Sequence, residues 1–180
     1  MIDKIVDDVR KALDSEAYLA ALHLALTIPD MCGNAEYPNA RVGERYRRWY
    51  DENIGYLENP NNFIPEDMET YYPYLSGEVL YQLRCSLFHE GDSMPDISNI
   101  KNELNKIDKF DLLIEENNEF NLYGGESGYE IRDGEPVNKV CRISIQDICN
   151  KLCWVGESYY HDNKGKFEFR EYNIVDLRRK

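Results

Sequence analysis

The chain has 180 residues, 42% of them hydrophobic, and a formal net charge of −13. That length and apolar content suit one domain with a buried core and exclude wholesale disorder. Acidic residues outnumber basic ones in both halves, so no arm or tail can hold nucleic acid by bulk charge, and any such contact has to be local.

The most apolar stretch, 17–28, is too short to cross a bilayer and is interrupted by His23, so no membrane contact is expected. The first eight residues are acidic at once, unlike a signal peptide. Cys32, Cys85, Cys141, Cys149 and Cys153 form no C-x-x-C pair. Without an export signal they read as reduced thiols of a cytoplasmic protein. The three histidines, at 23, 89 and 161, are scattered and no H-E-x-x-H is present, so neither a zinc motif nor another cofactor is expected.

In chain order, Ile2, Ile5, Val6, Val9 and Leu13 recur at helical spacing and predict a helix from residue 3 to about 28. Asp14-Ser15 interrupts it, with Ser15 placed to cap a restart. His23 reads as a packed core histidine, and Pro29 closes the segment. A turn over 30–34 leads to a second helix, about 39–57. It carries Arg41, Arg45, Arg47 and Arg48 among Tyr46, Trp49 and Tyr50. Two readings stand open for this cluster. The arginines contact phosphate beside stacking aromatics, with Arg41, Arg45 and Arg48 as RNA-binding candidates. Otherwise they pair with Glu44, Asp51 and Glu52 while the aromatics face the core.

Prolines and asparagines over 58–75 predict a loop. A third helix spans 76–91, with Ser76 as N-cap, Val79, Leu80, Leu83, Leu87 and Phe88 as its apolar stripe, and Gly91 as its stop. Ile97, Ile100, Leu104 and Ile107 predict a further short helix. Strands follow over 110–114 and 119–123, with a turn at Gly124-Gly125. Residues 129–132 and 137–143 predict a hairpin around Asp133-Gly134. Ser144 caps a fourth major helix, about 145–160, with Ile148, Leu152 and either Val155 or Trp154 inward. Cys149 and Cys153 share a face of it as small buried hydrophobes. His161-Asp162 reads as a helix end, and 166–177 as one or two strands, before a short basic tail. The expected class is therefore α+β and mainly α. It is one domain over 1–180, with a helical bundle over 1–109 and about 145–161 and β-rich segments near 110–143 and 166–177.

One motif stands out: Arg84-Cys85-Ser86-Leu87-Phe88-His89, an Arg and a His separated by four residues late in an amphipathic helix, followed by Glu90-Gly91. It resembles the signature of the HEPN superfamily, small helical bundles with an Arg, four to six residues and a His near the end of a long helix. The resemblance covers residues 1 to about 95, and the helix near 145–160 if the β-rich stretch is an insertion. It departs from the family in that β-rich stretch and in Cys85, where a polar residue often follows the Arg. It implies a homodimer whose two motifs meet in a cleft. It also implies a metal-independent endoribonuclease of toxin or phage-defence type, although some members keep the fold without the activity.

The chemistry is coherent with these residues. RNA carries its own nucleophile in the 2′-OH. Histidine transfers protons near neutral pH, and arginine offers a fixed charged fork for phosphate oxygens. His89 is assigned proton transfer, and Arg84 phosphate binding and transition-state charge. Ser86 and Glu90 are supporting candidates that orient water or His89. Residues five apart lie about 140° apart around an ideal helix, so convergence needs a long reach, an unwound turn or a second subunit. The alternative is a non-catalytic HEPN-like protein whose acidic surface binds a basic protein partner, with Arg84 paired to an acidic neighbour.

Overall fold

The computed structural model describes residues 1–64, 71–89, 95–115 and 127–167, with the backbone alone at His89. The chain is mixed α/β and mostly helical, with a small three-stranded sheet in its C-terminal half.

The N-terminal apolar pattern becomes three helices: α1 (Ile2–Asp14), α2 (Tyr18–Ala25) and α3 (Ile28–Glu36). Ile2, Val6, Val9 and Leu13 form the buried face of α1, as their spacing predicts. Ser15 does not cap a restart. It follows α1, where its Oγ donates to the Lys11 carbonyl at 2.8 Å, and Glu16 turns the chain with φ of 57°. Pro29 opens a helix instead of closing one. It stands in the first turn of α3, where a missing N–H costs nothing, so residues 30–34 are helical and not a turn.

The arginine-rich segment forms α4 (Val42–Tyr50), followed by a π-helical turn (Asp51–Gly55) and a short turn, α5 (Tyr56–Glu58). Tyr46, Trp49 and Tyr50 are fully buried. Two glycines let neighbouring helices touch the α4 backbone. A Cβ on Gly33 would lie 2.5 Å from the Arg45 carbonyl oxygen, and one on Gly77 would lie 2.6 Å from that of Arg47.

The next helix, α6 (Gly77–His89), starts as expected: Ser76 Oγ accepts from the Val79 N–H at 3.4 Å. Val79, Leu80, Leu83 and Leu87 are buried, but Phe88 is 42% exposed and leaves the core stripe. Residues 97–107 form two 3-10 turns, Ile97–Asn99 and Glu103–Asn105, in place of the short helix. Ile100 and Ile107 are still buried, whereas Leu104 is exposed.

Strands β1 (Lys109–Leu113), β2 (Gly128–Arg132) and β3 (Glu135–Ser144) pair in the order β1-β3-β2. β1 runs parallel to β3 with Phe110 opposite Cys141, and β2 runs antiparallel to it with Arg132 opposite Glu135. Asp133 and Gly134 both take positive φ, 54° and 87°, as the tight hairpin turn demands. Ser144 ends β3 and caps α7 (Ile145–Asp162), its Oγ accepting from the Asp147 N–H at 3.3 Å. Leu152, Cys149 and Cys153 are buried, Val155 packs on the core, and Trp154 is exposed. Lys164–Phe167 is a 3-10 turn, so the expected strand does not begin at 166. The remainder of that segment, the strand over 119–123, the Gly124-Gly125 turn and Gly91 lie outside the described residues.

Candidate anion-binding site

Helices α3, α4 and α6 each contribute one charged side chain to a concavity of about 460 Å³: Asp30, Arg45 and Arg84. Leu24, Met31 and Val42 supply apolar wall. The α6 N-terminus is anchored by Asp51, whose Oδ1 accepts from the Gly77 N–H at 2.6 Å. Burial pushes the Asp51 carboxyl up to about 6, against the pull of that N–H.

Arg84 donates to one oxygen of Asp30 twice, from Nε at 3.0 Å and from Nη2 at 2.7 Å. Both side chains are mostly enclosed, at 20% and 17% exposure. Burial opposes the guanidinium charge, but Asp30 outweighs it and holds Arg84 firmly protonated. The guanidinium carbon also lies 5.2 Å from the Phe88 ring centroid. His23 also stands near Phe88, with 5.3 Å between ring centroids. His23 is half-buried, not a core residue, and its Nδ1 meets the Leu19 carbonyl at 2.7 Å.

Arg45 is the second cation of the concavity. Its Nε is enclosed and has no hydrogen-bond partner among the described residues. The other arginines of α4 are committed elsewhere. Arg48 reaches Glu52 at 2.9 Å and lies over the Tyr37 ring at 4.1 Å. Arg47 lies 3.9 Å from Glu78 and 5.8 Å from the Tyr81 ring. Arg41 is exposed at the N-cap of α4. Of the expected pairings, Arg48 with Glu52 is present, Arg47 turns to Glu78 instead, and Arg45 Nε has no partner among the described residues.

Of the motif, Arg84 reaches the concavity. Ser86 is buried at 3% exposure, which removes it as a residue that orients solvent. His89 closes α6, and its side chain, like all of Glu90, lies outside the described residues. Asp30, placed in a turn by its sequence neighbours, is the site residue that sequence reasoning missed. Its only signal was a lone carboxylate after an apolar run.

Lys151, at 6% exposure, bridges Glu58 at 3.0 Å and Asp147 at 2.8 Å. This buried triad ties α7 to α5. Among the cysteines, Cys85 is half-exposed and the other four are buried. Burial pushes the thiols of Cys32 and Cys149 up, and those of Cys141 and Cys153 up to about 12.

Comparison of the chain with protein-family models, with curated proteins and with solved structures finds no match.

Proposed function

We propose that this chain is an HEPN-like protein that binds RNA phosphate at Arg45 and Arg84 and cleaves RNA with His89 as the proton-transfer group. One observation carries the reading. Two arginines singled out from separate stretches of sequence, one by the motif and one by the basic cluster, meet in one concavity. One of them keeps an enclosed, partnerless donor. A phosphate oxygen supplies the acceptor that such a donor lacks once the Arg45 side chain turns to bring it into the concavity.

In the reaction, the 2′ oxygen attacks the adjacent phosphorus as its proton leaves to a base. The bond from phosphorus to the 5′ oxygen breaks, and that oxygen takes a proton from an acid. The products are a 2′,3′-cyclic phosphate and a 5′-hydroxyl. Arg84 and Arg45 offset the charge on the phosphorane oxygens. His89 handles the proton, and a second copy of the chain would bring a second motif to the same cleft.

The Asp30–Arg84 ion pair favours a second reading. If Asp30 is never displaced, the motif arginine is structural. The protein is then a non-catalytic HEPN-like module whose acidic surface receives a basic partner.

The test is cleavage of 5′-labelled RNA in EDTA at low salt, with product ends analysed. Cleavage leaving cyclic phosphate, lost on His89→Ala and Arg84→Ala with the fold retained, is expected. Intact RNA together with no salt-dependent RNA binding overturns the proposal. Binding without cleavage overturns the catalytic step and the second reading alike, and keeps only phosphate binding at the arginines.

A further inference from the structure

Helices α1 and α7 bring Asp3, Glu157 and His161 together. One ligand atom from each lies within 4.8 Å of the others. Glu157 and His161 are four residues apart, so they stack on one face of α7. Asp3 stands opposite them in the first turn of α1. His161 Nε2 lies 3.0 Å from Asp3 Oδ1. That oxygen is enclosed, yet it accepts no hydrogen bond among the described residues. At that distance the two atoms make an ion pair when the imidazole is protonated, and a neutral imidazole leaves both free to bind a cation.

We propose that Asp3, Glu157 and His161 form a zinc-type divalent metal site that clips α1 to α7. One imidazole and two carboxylates suit zinc and its transition-metal neighbours; magnesium and calcium prefer oxygen alone. Tetrahedral coordination with bonds of about 2.0–2.2 Å spaces ligand atoms about 3.3–3.6 Å apart. The three side chains are between 29% and 49% exposed, so they can adjust by that little. Solvent fills the remaining position. Arg10 donates to Glu157 Oε2 at 2.9 Å. A carboxylate has a second oxygen, so Arg10 can remain as an outer partner that orients the ligand. Two carboxylates balance the charge of the divalent ion. The ion would join a helix at the start of the fold to the long helix near its end, the kind of long closure for which a clip gains most. None of this depends on the RNA reading, since neither Arg84 nor His89 takes part.

The experiment is calorimetric titration of the reduced, EDTA-stripped full chain with ZnCl2, beside MgCl2, and with thermal unfolding. Co2+ spectra identify the donors, because cysteine ligation gives an intense thiolate band and this site gives none. The expected result is one zinc per chain, a raised Tm and no thiolate band. His161→Gln and Asp3→Asn should each weaken zinc binding by at least about tenfold. Zinc binding no tighter than magnesium, a thiolate band, or unchanged affinity in both ligand variants overturns the proposal.

Discussion

Asp30 grips Arg84 through a single carboxylate oxygen, which takes hydrogen bonds from both Nε and Nη2. The pair spans α3 and α6 and sets the charge of the concavity. Two arginines against one aspartate leave a local excess of one positive charge in a chain of net charge −13. Asp30 therefore orients the motif arginine and competes with any incoming anion.

Asp30→Asn separates these roles. Losing a mostly enclosed charge-assisted pair should lower stability by about 1–3 kcal/mol, read as a fall in the urea midpoint at unchanged m. If Arg84 binds phosphate, the same variant should bind RNA more tightly at low salt. A drop in both stability and RNA affinity would make the pair part of the binding geometry.

Asp51 makes stability depend on pH. Its folded value, about 6, exceeds its ordinary 3.8 because it is buried. The folded chain therefore holds this proton more tightly than the unfolded chain does. The associated stability is complete below about pH 4 and is lost as pH rises through about 6. Burial raises Glu58 as well, so both groups tilt the curve the same way. Asp51→Asn should flatten the fall between pH 4 and 6 without abolishing it. Urea titrations at several pH values measure this, and an unchanged slope would remove Asp51 as its source.

Lys151 tests the buried triad. Its ammonium sits between Glu58 and Asp147, and the three side chains are only 5–11% exposed. Lys151→Ala takes the ammonium from between two enclosed carboxylates and should cost about 3–5 kcal/mol. Lys151→Met, which fills the space, should still be destabilised, and should recover toward low pH as the carboxylates take protons. Calorimetry of both variants at pH 5 and 7 reads the difference.

Thiol reactivity should divide one against four. Cys85 is half-exposed, whereas the others are enclosed and their thiolates disfavoured. Ellman's reagent should label one thiol quickly in the native chain and the rest only on unfolding. Cys85→Ser should abolish the fast phase.

Local chemistry made much of this fold readable. Asp133-Gly134 announces its hairpin because only a few residues accept two successive positive φ values. Ser144 announces the start of α7 because its hydroxyl replaces a missing helical acceptor. What escaped depends on partners distant in sequence. Gly33 suggests a break, but its missing side chain serves a close approach to α4, and the helix continues around it. Ile97 to Ile107 keep helical spacing, yet Asp96 and Asn102 side chains cap short 3-10 turns there. Glu78 also takes the N–H groups of Lys101 and Asn102, which holds that segment against α6. Of the site, both arginines were legible by residue type. Asp30 was not, since its role arises only when α3 meets α6. The cluster of Asp3 with Glu157 and His161 was equally hidden, because its members come from opposite ends of the described chain.

The glycine contacts on α4 divide the freedom to vary between two kinds of position. At 45 and 47 it is the carbonyls that pack, and every residue type has a carbonyl. The close approach of the helices therefore does not depend on which side chains stand at 45 and 47. At 33 and 77 there is no such latitude, since any added carbon collides with main chain. A library randomised at position 45 should stay folded and, if the concavity binds RNA phosphate, lose RNA affinity wherever the cation is removed. One randomised at 33 or 77 should return almost nothing but glycine.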